Sequence, residues 1–371
     1  MQERRDTVHD SGDILVVPKG FLGDFVLMSP VFRALKESAP DRRVLFLSSP
    51  GFASHAAQNQ FIDEVICFDR SGEHRGIKGL LRFAKELRGR KIETAFSFHR
   101  SWRTGLLLFL SRIPRRIGYS GALSSILYTE CVNKKAEYHE VLRNLSLIAQ
   151  CMSAQWRERL LRAMNSESSD IFLEVASVSE RDVGESVRAL FADLQSYVVL
   201  APGSAWKTKQ WSAYEFRRLA NELSNRGKRV VVLGAKNDQK TAKIVCEGLG
   251  ADVVNLCGAT SLAEMVYLIK NAEGLVCNDS LALHVASAAK TPTVAVFCAT
   301  SPRFGFGPWN NRAIIVEKGD LFCKPCRRHG SKRCPNGTRM CSTLVSAEDV
   351  LQALDDVVTS GESVVIEERA V

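Results

Sequence analysis

Apolar, β-branched runs alternate with stretches of helical periodicity along almost the whole chain. In the first half the runs are 13–18 (DILVVP), 43–48 (RVLFLS), 64–68 (EVICF), 93–98 (ETAFSF) and a short one near 116–119. In the second they are 197–201 (YVVLA), 229–233 (RVVVL), 252–256 (DVVNL), 274–277 (GLVC) and 293–297 (TVAVF). Helical patterns lie between them, among them 76–89, 212–226, 238–249 and 261–271. Continuous apolar strands separated by crossover helices predict parallel sheets covered on both faces. A chain of 371 residues exceeds what one hydrophobic core usually holds. Two doubly wound α/β domains are therefore expected, 1–178 and 179–371. The serine-rich stretch 165–170 and a helical segment to about Ala192 form the junction. Ligands bind beyond the carboxyl ends of such strands, which makes a central cleft faced by both domains the expected site.

Composition changes this picture little. The chain is 45% hydrophobic and 25% charged, and only the polar first dozen residues and the acidic-tipped tail suggest disorder. The longest apolar run, 105–110 (GLLLFL), is too short to span a bilayer, and the first residues carry no apolar signal segment; a cytoplasmic protein is expected. Seven of the 11 cysteines (Cys67, Cys131, Cys151, Cys246, Cys257, Cys277, Cys298) are scattered and expected as reduced, buried thiols. Charge is more telling. Residues 75–116 hold 12 Lys/Arg against two Glu, a net +10 within a chain of net +9. That concentration implies an anionic partner, or else a solvated helix face. The second explanation suits Lys78, Arg82 and Lys85 better than Arg100, Arg103, Arg115 and Arg116.

No G-x-G-x-x-G and no G-x-x-x-x-G-K-[ST] is present, which disfavours an ordinary dinucleotide dehydrogenase or a P-loop NTPase. Three strand ends carry candidate chemistry instead. In PKGFLGD (18–24), Gly20 and Gly23 let backbone approach a ligand, and Asp24 opens the next helix, as an N-cap, as a functional carboxylate, or as both. In APGSAWKTKQW (201–211), a Pro-Gly-Ser turn with Ser204, Lys207 and Lys209 reads as a phosphate cradle or as a surface turn; Trp206 and Trp211 favour the first. In VCNDSLALHVASAAKTP (276–292), a strand runs into Asn278, Asp279 and Ser280 at a helix start suited to phosphate, with His284 on the Ser280 face. Asp279 caps that helix, orients N–H groups or contacts ribose.

A fourth feature is CKPCRRHGSKRCPNGTRMC (323–341). Cys323, Cys326, Cys334 and Cys341 at C-x₂-C-x₇-C-x₆-C leave a structural zinc, free thiols or a disulfide open.

Taken together, ILVVPKGFLGD, APGSAWKTKQW and NDSLALHVASAAKTPTVAVF resemble the lipopolysaccharide heptosyltransferases of glycosyltransferase family 9, their heptosyltransferase II branch above all. FHRSWRTGLLLFLSRIPRRIGYSG (98–121) and NLCGATSLAEMVYLIKNAEGLVCND (255–279) extend the resemblance over most of 13–345. It implies a GT-B fold, an ADP-heptose donor, and inverting, metal-independent transfer to a phosphorylated lipopolysaccharide inner-core sugar. No cofactor is implied. Asp24 would be the base and Lys209 the main phosphate-binding lysine, with Gly23, Ser204, Lys207, Asp279, Ser280 and His284 around the donor and Asp238 at the ribose. Arg100, Arg103 and His139 would meet the acceptor, and the basic window the inner membrane's cytoplasmic face, with no nucleic acid required. Leu281 stands where the family usually has Gly, which leaves a different nucleotide-sugar donor open. A non-catalytic nucleotide- or zinc-binding adaptor is the reading from another class.

Overall fold

In the computed structural model, described over residues 12–165, 169–175, 178–185, 187–188, 196–360 and 366–371, the chain divides into two compact units, Met1–Glu167 and Ser168–Val371. The first is built from β1 (Asp13–Val17), α1 (Leu22–Ser38), β2 (Val44–Ser48), α2 (Pro50–Ala56), β3 (Glu64–Cys67), α3 (Gly76–Arg88), β4 (Ile92–Ser97), α4 (Trp102–Leu110), β5 (Arg115–Tyr119), β6 (Glu130–Val132), α5 (Glu140–Ile148) and α6 (Ala154–Asn165). Its six strands lie in the order β3-β2-β1-β4-β5-β6, every pair parallel. β1 and β2 are almost wholly buried, as a sheet covered on both faces demands. Pro30 inside α1 has no N–H for the Val26 carbonyl; the Ser29 hydroxyl donates to that carbonyl instead (2.7 Å), so the helix continues through the proline.

The second unit contains β7 (Tyr197–Ala201), α7 (Ala213–Asn225), β8 (Arg229–Val232), α8 (Gln239–Cys246), β9 (Val253–Asn255), α9 (Leu262–Lys270), β10 (Gly274–Asn278), α10 (Leu281–Ala289), β11 (Thr293–Val296), β12 (Ala313–Glu317), α11 (Met340–Thr343), α12 (Ala347–Thr359) and β13 (Ile366–Ala370). The order is β13-β12-β11-β10-β7-β8-β9, again all parallel. Each sheet reverses direction once, between β1 and β4 and between β7 and β10. These switch points leave crevices at the carboxyl ends of the strands, where ligands of doubly wound sheets bind.

Several elements differ from expectation. Strands β6, β12 and β13 were not anticipated: β6 is three residues with an exposed cysteine, and β13 (IEERA) is a charged edge strand. Such an edge resists pairing with other chains, so its sequence carries no apolar signal. The acidic tail is thus in part a strand paired with β12. Of the seven scattered cysteines only Cys257, Cys277 and Cys298 are buried, while Cys67 and Cys131 are exposed.

The division into units falls inside the serine-rich stretch, ahead of the boundary expected after residue 178. Residues 169–175 belong with the second unit for a physical reason. Trp309 Nε1 donates to the Ile171 carbonyl (2.7 Å), Asn310 Nδ2 donates to the Ser169 carbonyl (2.6 Å), and the Lys290 ammonium sits 4.6 Å from the Phe172 ring centroid. The helical segment expected to reach Ala192 lies partly outside the described residues.

Replacing Trp309 by Phe keeps most of the apolar contact and leaves the buried Ile171 carbonyl only a long contact from Asn310 Nδ2 (3.5 Å). This should cost about 1–2 kcal/mol, read as a lower denaturant midpoint at unchanged slope; an unchanged midpoint would show that the attachment does not depend on this bond.

Candidate active site

The second unit's site is assembled by Asn278, the last residue of β10. Its side chain is fully buried and ties the turn after β7 to the end of β10. Oδ1 accepts from the Trp211 N–H (2.8 Å), and Nδ2 donates to the carbonyls of Pro202 (2.8 Å) and Gly203 (3.3 Å). The next residue, Asp279, is also buried. Its Oδ2 accepts from Lys209 Nζ (2.7 Å) and from the Thr300 hydroxyl (2.8 Å), and its carbonyl accepts from the Ser204 hydroxyl (3.1 Å). Asp279 thus does not cap α10; it holds Lys209. The N-cap is Ser280, whose side chain makes no capping bond, so the first N–H groups of the nine-residue helix α10 gain nothing from it. A held ammonium, two hydroxyls and an uncapped helix start converge at the switch point, an arrangement suited to a pyrophosphate.

His284 is buried one turn into α10, and its Nδ1 has no hydrogen-bond partner among the described residues. Burial, assisted by the Lys209 charge, pushes its pKa down to about 3. It is therefore neutral at physiological pH and adds no cation to the phosphate site. Lys207 is exposed on the same turn, its carbonyl accepting from Arg339 Nη2 at 3.4 Å. Asp238 closes its own turn by accepting from the Ala235 N–H (3.0 Å), and its carboxylate lies so close to Gly203 that a Cβ there would fall 2.3 Å from Oδ2. Burial raises the Asp238 pKa.

The Cys-rich loop lies against the lysine turn. Thr208 Oγ1 donates to the Ser331 carbonyl (3.0 Å) and lies within 2.7 Å of the Ser331 N–H, and a Cβ on Gly330 would sit 3.0 Å from Lys209 Cγ. Cys323, Cys326, Cys334 and Cys341 are near enough that their charges influence one another. The Cys334 thiol is held below its usual range by surrounding backbone N–H groups, Arg339's foremost. Among the described residues no three His, Cys, Asp or Glu side chains are placed to hold a metal ion, these four included.

In the first unit Asp24 is the third residue of α1, not its cap. The cap is Phe21, which has no side-chain oxygen to offer. A carboxylate in the first turn still suits the helix dipole. Beside it, at the end of β4, His99 has its pKa lowered by burial first, then by Arg70 and Lys19, while Asp24 pulls the other way. Asp24, Lys19 and Arg70 are thus near enough to His99 for their charges to influence it.

Sequence reasoning missed three of these groups, Lys19, Arg70 and His99, together with the network behind Lys19. Glu140, fully buried at the start of α5, pairs with Lys19, with Lys134 (3.1 Å) and with the equally buried Arg143 (2.9 Å). The available signal was a Glu–Arg pair at i, i+3 among the apolar positions of EVLRNLSLI. Arg103 Nη2 donates to the carbonyls of His74 (2.8 Å) and Gly76 (3.3 Å), whereas its buried Nε is unpartnered among the described residues. Arg100 is exposed and donates to the Gly121 carbonyl. His139 serves as the N-cap of α5, its Nδ1 accepting from the Val141 N–H (3.3 Å). Arg115 and Arg116 are structural: the first forms a fork with Glu130 (2.5 and 3.1 Å), and the second donates to the Leu127 and Ile113 carbonyls.

Two Rossmann-like units with sites at their switch points define a GT-B glycosyltransferase fold, and the comparisons with known proteins agree. The profile of glycosyltransferase family 9 (heptosyltransferase) matches residues 80–335, so the chain belongs to that family and is a glycosyltransferase. It is 25% identical over 314 residues to lipopolysaccharide heptosyltransferase 2 of Salmonella typhimurium, covering 82% of this chain and 87% of that one. It is 24% identical to lipopolysaccharide heptosyltransferase 3 of Escherichia coli K12, covering 90% and 94%. The structure of the E. coli ADP-heptose lps heptosyltransferase II superposes with a TM-score of 0.74 at 21% identity, covering 93% of this chain and 98% of that one. No helix among the described residues is long and apolar enough to cross a membrane.

The His284 shift predicts a pH dependence of stability. The unfolded chain binds a proton at this residue below the ordinary His value of 6.5, the folded chain only near 3. Its contribution is complete above about pH 6.5 and is lost as pH falls towards 3. Denaturant titrations from pH 7 to 4.5 should show wild type losing more stability than His284→Gln; parallel curves would contradict a neutral, buried His284.

Proposed function

We propose that this chain transfers a heptose from ADP-heptose to a hydroxyl of a phosphorylated lipopolysaccharide inner-core sugar, with inversion at the anomeric carbon. The carrying observation is the Lys209–Asp279–Thr300 arrangement beside the uncapped start of α10, in a family 9 glycosyltransferase. The leaving pyrophosphate gains charge as the glycosidic bond breaks. Lys209, Lys207, the Ser204 and Ser280 hydroxyls and the α10 N–H groups stabilise that charge. His284 lines the donor site as a neutral group, and Asp238 takes the ribose. Asp24 accepts the proton of the acceptor hydroxyl as it attacks from the face opposite ADP, and Gly23 leaves room for the sugar. One displacement inverts the centre, so no covalent intermediate forms, and in this reading Lys209 and the helix start take the place of a metal at the diphosphate. Arg100 and Arg103 bind the acceptor's anionic groups. The reaction belongs at the cytoplasmic face of the inner membrane, where the enzyme is bound peripherally.

Asp24→Asn should lower transfer by about 10²–10⁴-fold while leaving ADP affinity and the thermal midpoint unchanged. Mass spectrometry of product on a deep-rough lipopolysaccharide acceptor reads the first, and calorimetry the others. Wild-type turnover by this variant would remove Asp24 as the base. Lys209→Met should instead weaken ADP binding as well as transfer, so intact ADP affinity would contradict its assignment.

A further inference from the structure

We propose that the outward side of α3, α4 and the short 3₁₀ turn Leu123–Leu127 is a docking surface for an anionic lipid bilayer. These three elements cover the same face of the first sheet. Leu80, Phe83 and Leu87 of α3 and Leu107 and Leu108 of α4 share one buried cluster with β1, β2 and β4, and Gly105 of α4 packs on Ser124 and Leu127 of the turn. α3 and α4 are also pinned together at both ends, by Arg103 on the His74 and Gly76 carbonyls and by Arg88 on the Leu110 carbonyl.

With the inner faces of this layer spoken for, its other large apolar side chains have no core to enter. Ile77 (77% exposed), Leu81 (49%), Trp102 (45%), Phe109 (49%), Leu123 (83%) and Ile126 (77%) all stand in solvent. Six such residues on three adjoining elements make an exposed apolar patch of the kind that marks an interaction surface. The charges around them fix the partner's sign. Lys78, Arg82 and Lys85 interleave with Ile77 and Leu81 on α3, and Arg112 lies beyond the C-terminal end of α4. Of these, only Arg82 forms an ion pair among the described residues, a 3.8 Å contact with the exposed Glu73. Cations beside dispersed apolar side chains, four of the six aliphatic, match a layer with anionic headgroups above an apolar boundary. A single-stranded nucleic acid would instead be met by a groove of stacking aromatics.

The proposal adds a specific face to the peripheral membrane attachment inferred above and rests on that reading only in needing a membrane-resident acceptor. Vesicle flotation of the full chain tests it. The chain should float with phosphatidylcholine–phosphatidylglycerol vesicles, remain behind with phosphatidylcholine alone, and be released by high salt. The Leu81→Asp/Ile126→Asp double variant should lose flotation by at least about tenfold with an unchanged thermal midpoint and unchanged transfer to a water-soluble core-sugar acceptor. Flotation unaffected by the double variant would overturn the proposal. So would a change in sedimentation mass in its place, which would give the face to a second copy of the chain, and so would retention of oligonucleotide rather than vesicles. If flotation behaves as stated while the wild-type chain transfers no heptose to the soluble acceptor, the reaction assignment fails and the docking surface stands.

Discussion

The second unit depends on a side-chain amide. Asn278 ends a fully buried strand, where no water can reach its polar atoms, and it satisfies them on three backbone groups of the turn after β7. A buried amide left unpaired costs about 1–3 kcal/mol, so the strand end and the turn are held in a single register. That register sets Asp279 against Lys209. Burying an ammonium without a partner is costly, and the carboxylate supplies that partner. The pair by itself is neutral, so it attracts anions less than a bare lysine would. Thr300 eases this constraint, because a carboxylate that also accepts from a hydroxyl draws less on the ammonium, whose other N–H donors stay available to an anion.

The first unit repeats the device with different parts. Its first strand is also followed by a turn bearing a lysine, Lys19, and that lysine too is held by a buried acid, Glu140. Here the acid comes from a helix rather than from a neighbouring strand end, and Arg143 and Lys134 share it. Three cations on one buried carboxylate leave local positive charge in excess. Burial, then Arg70 and Lys19, lower the His99 pKa, and the local positive charge suits an anionic ligand.

The sequence made the sheets legible because central parallel strands must be apolar on both faces, and their carboxyl ends located both crevices. Its failures have several physical causes; the apolar, buried β12 carried the pattern and was still not read as a strand. β6 and β13 sit at sheet edges, where burial imposes no apolar pattern. Asp24 looked like a helix cap because Asp caps helices, yet the chain enters α1 three residues earlier, at Phe21. Residue type also misled at Arg115 and Arg116. Two guanidiniums announce charge, whereas a nearby carboxylate or carbonyl decides whether that charge reaches a ligand. Glu140 and Arg143 were overlooked for the converse reason, since charged residues in a helix are read as solvated until a fold buries them.

The same distinction governs the Cys-rich loop. Its spacing drew attention to the thiols, whereas the contacts to the lysine turn are made by residues between and just after them. Ser331 exchanges bonds with Thr208, Gly330 admits the Lys209 stem, and Ser342 and Arg339 donate to the Gln210 carbonyl. Residues 207–210 form a single 3₁₀ turn and its exit, too short to fix their own geometry. The loop supplies that rigidity from outside, through its bonds to Thr208 and Gln210. A lysine pulled by a carboxylate and braced by a loop has little freedom left to lose when a pyrophosphate arrives, which is the condition under which a fixed charge stabilises a transition state without reorganising.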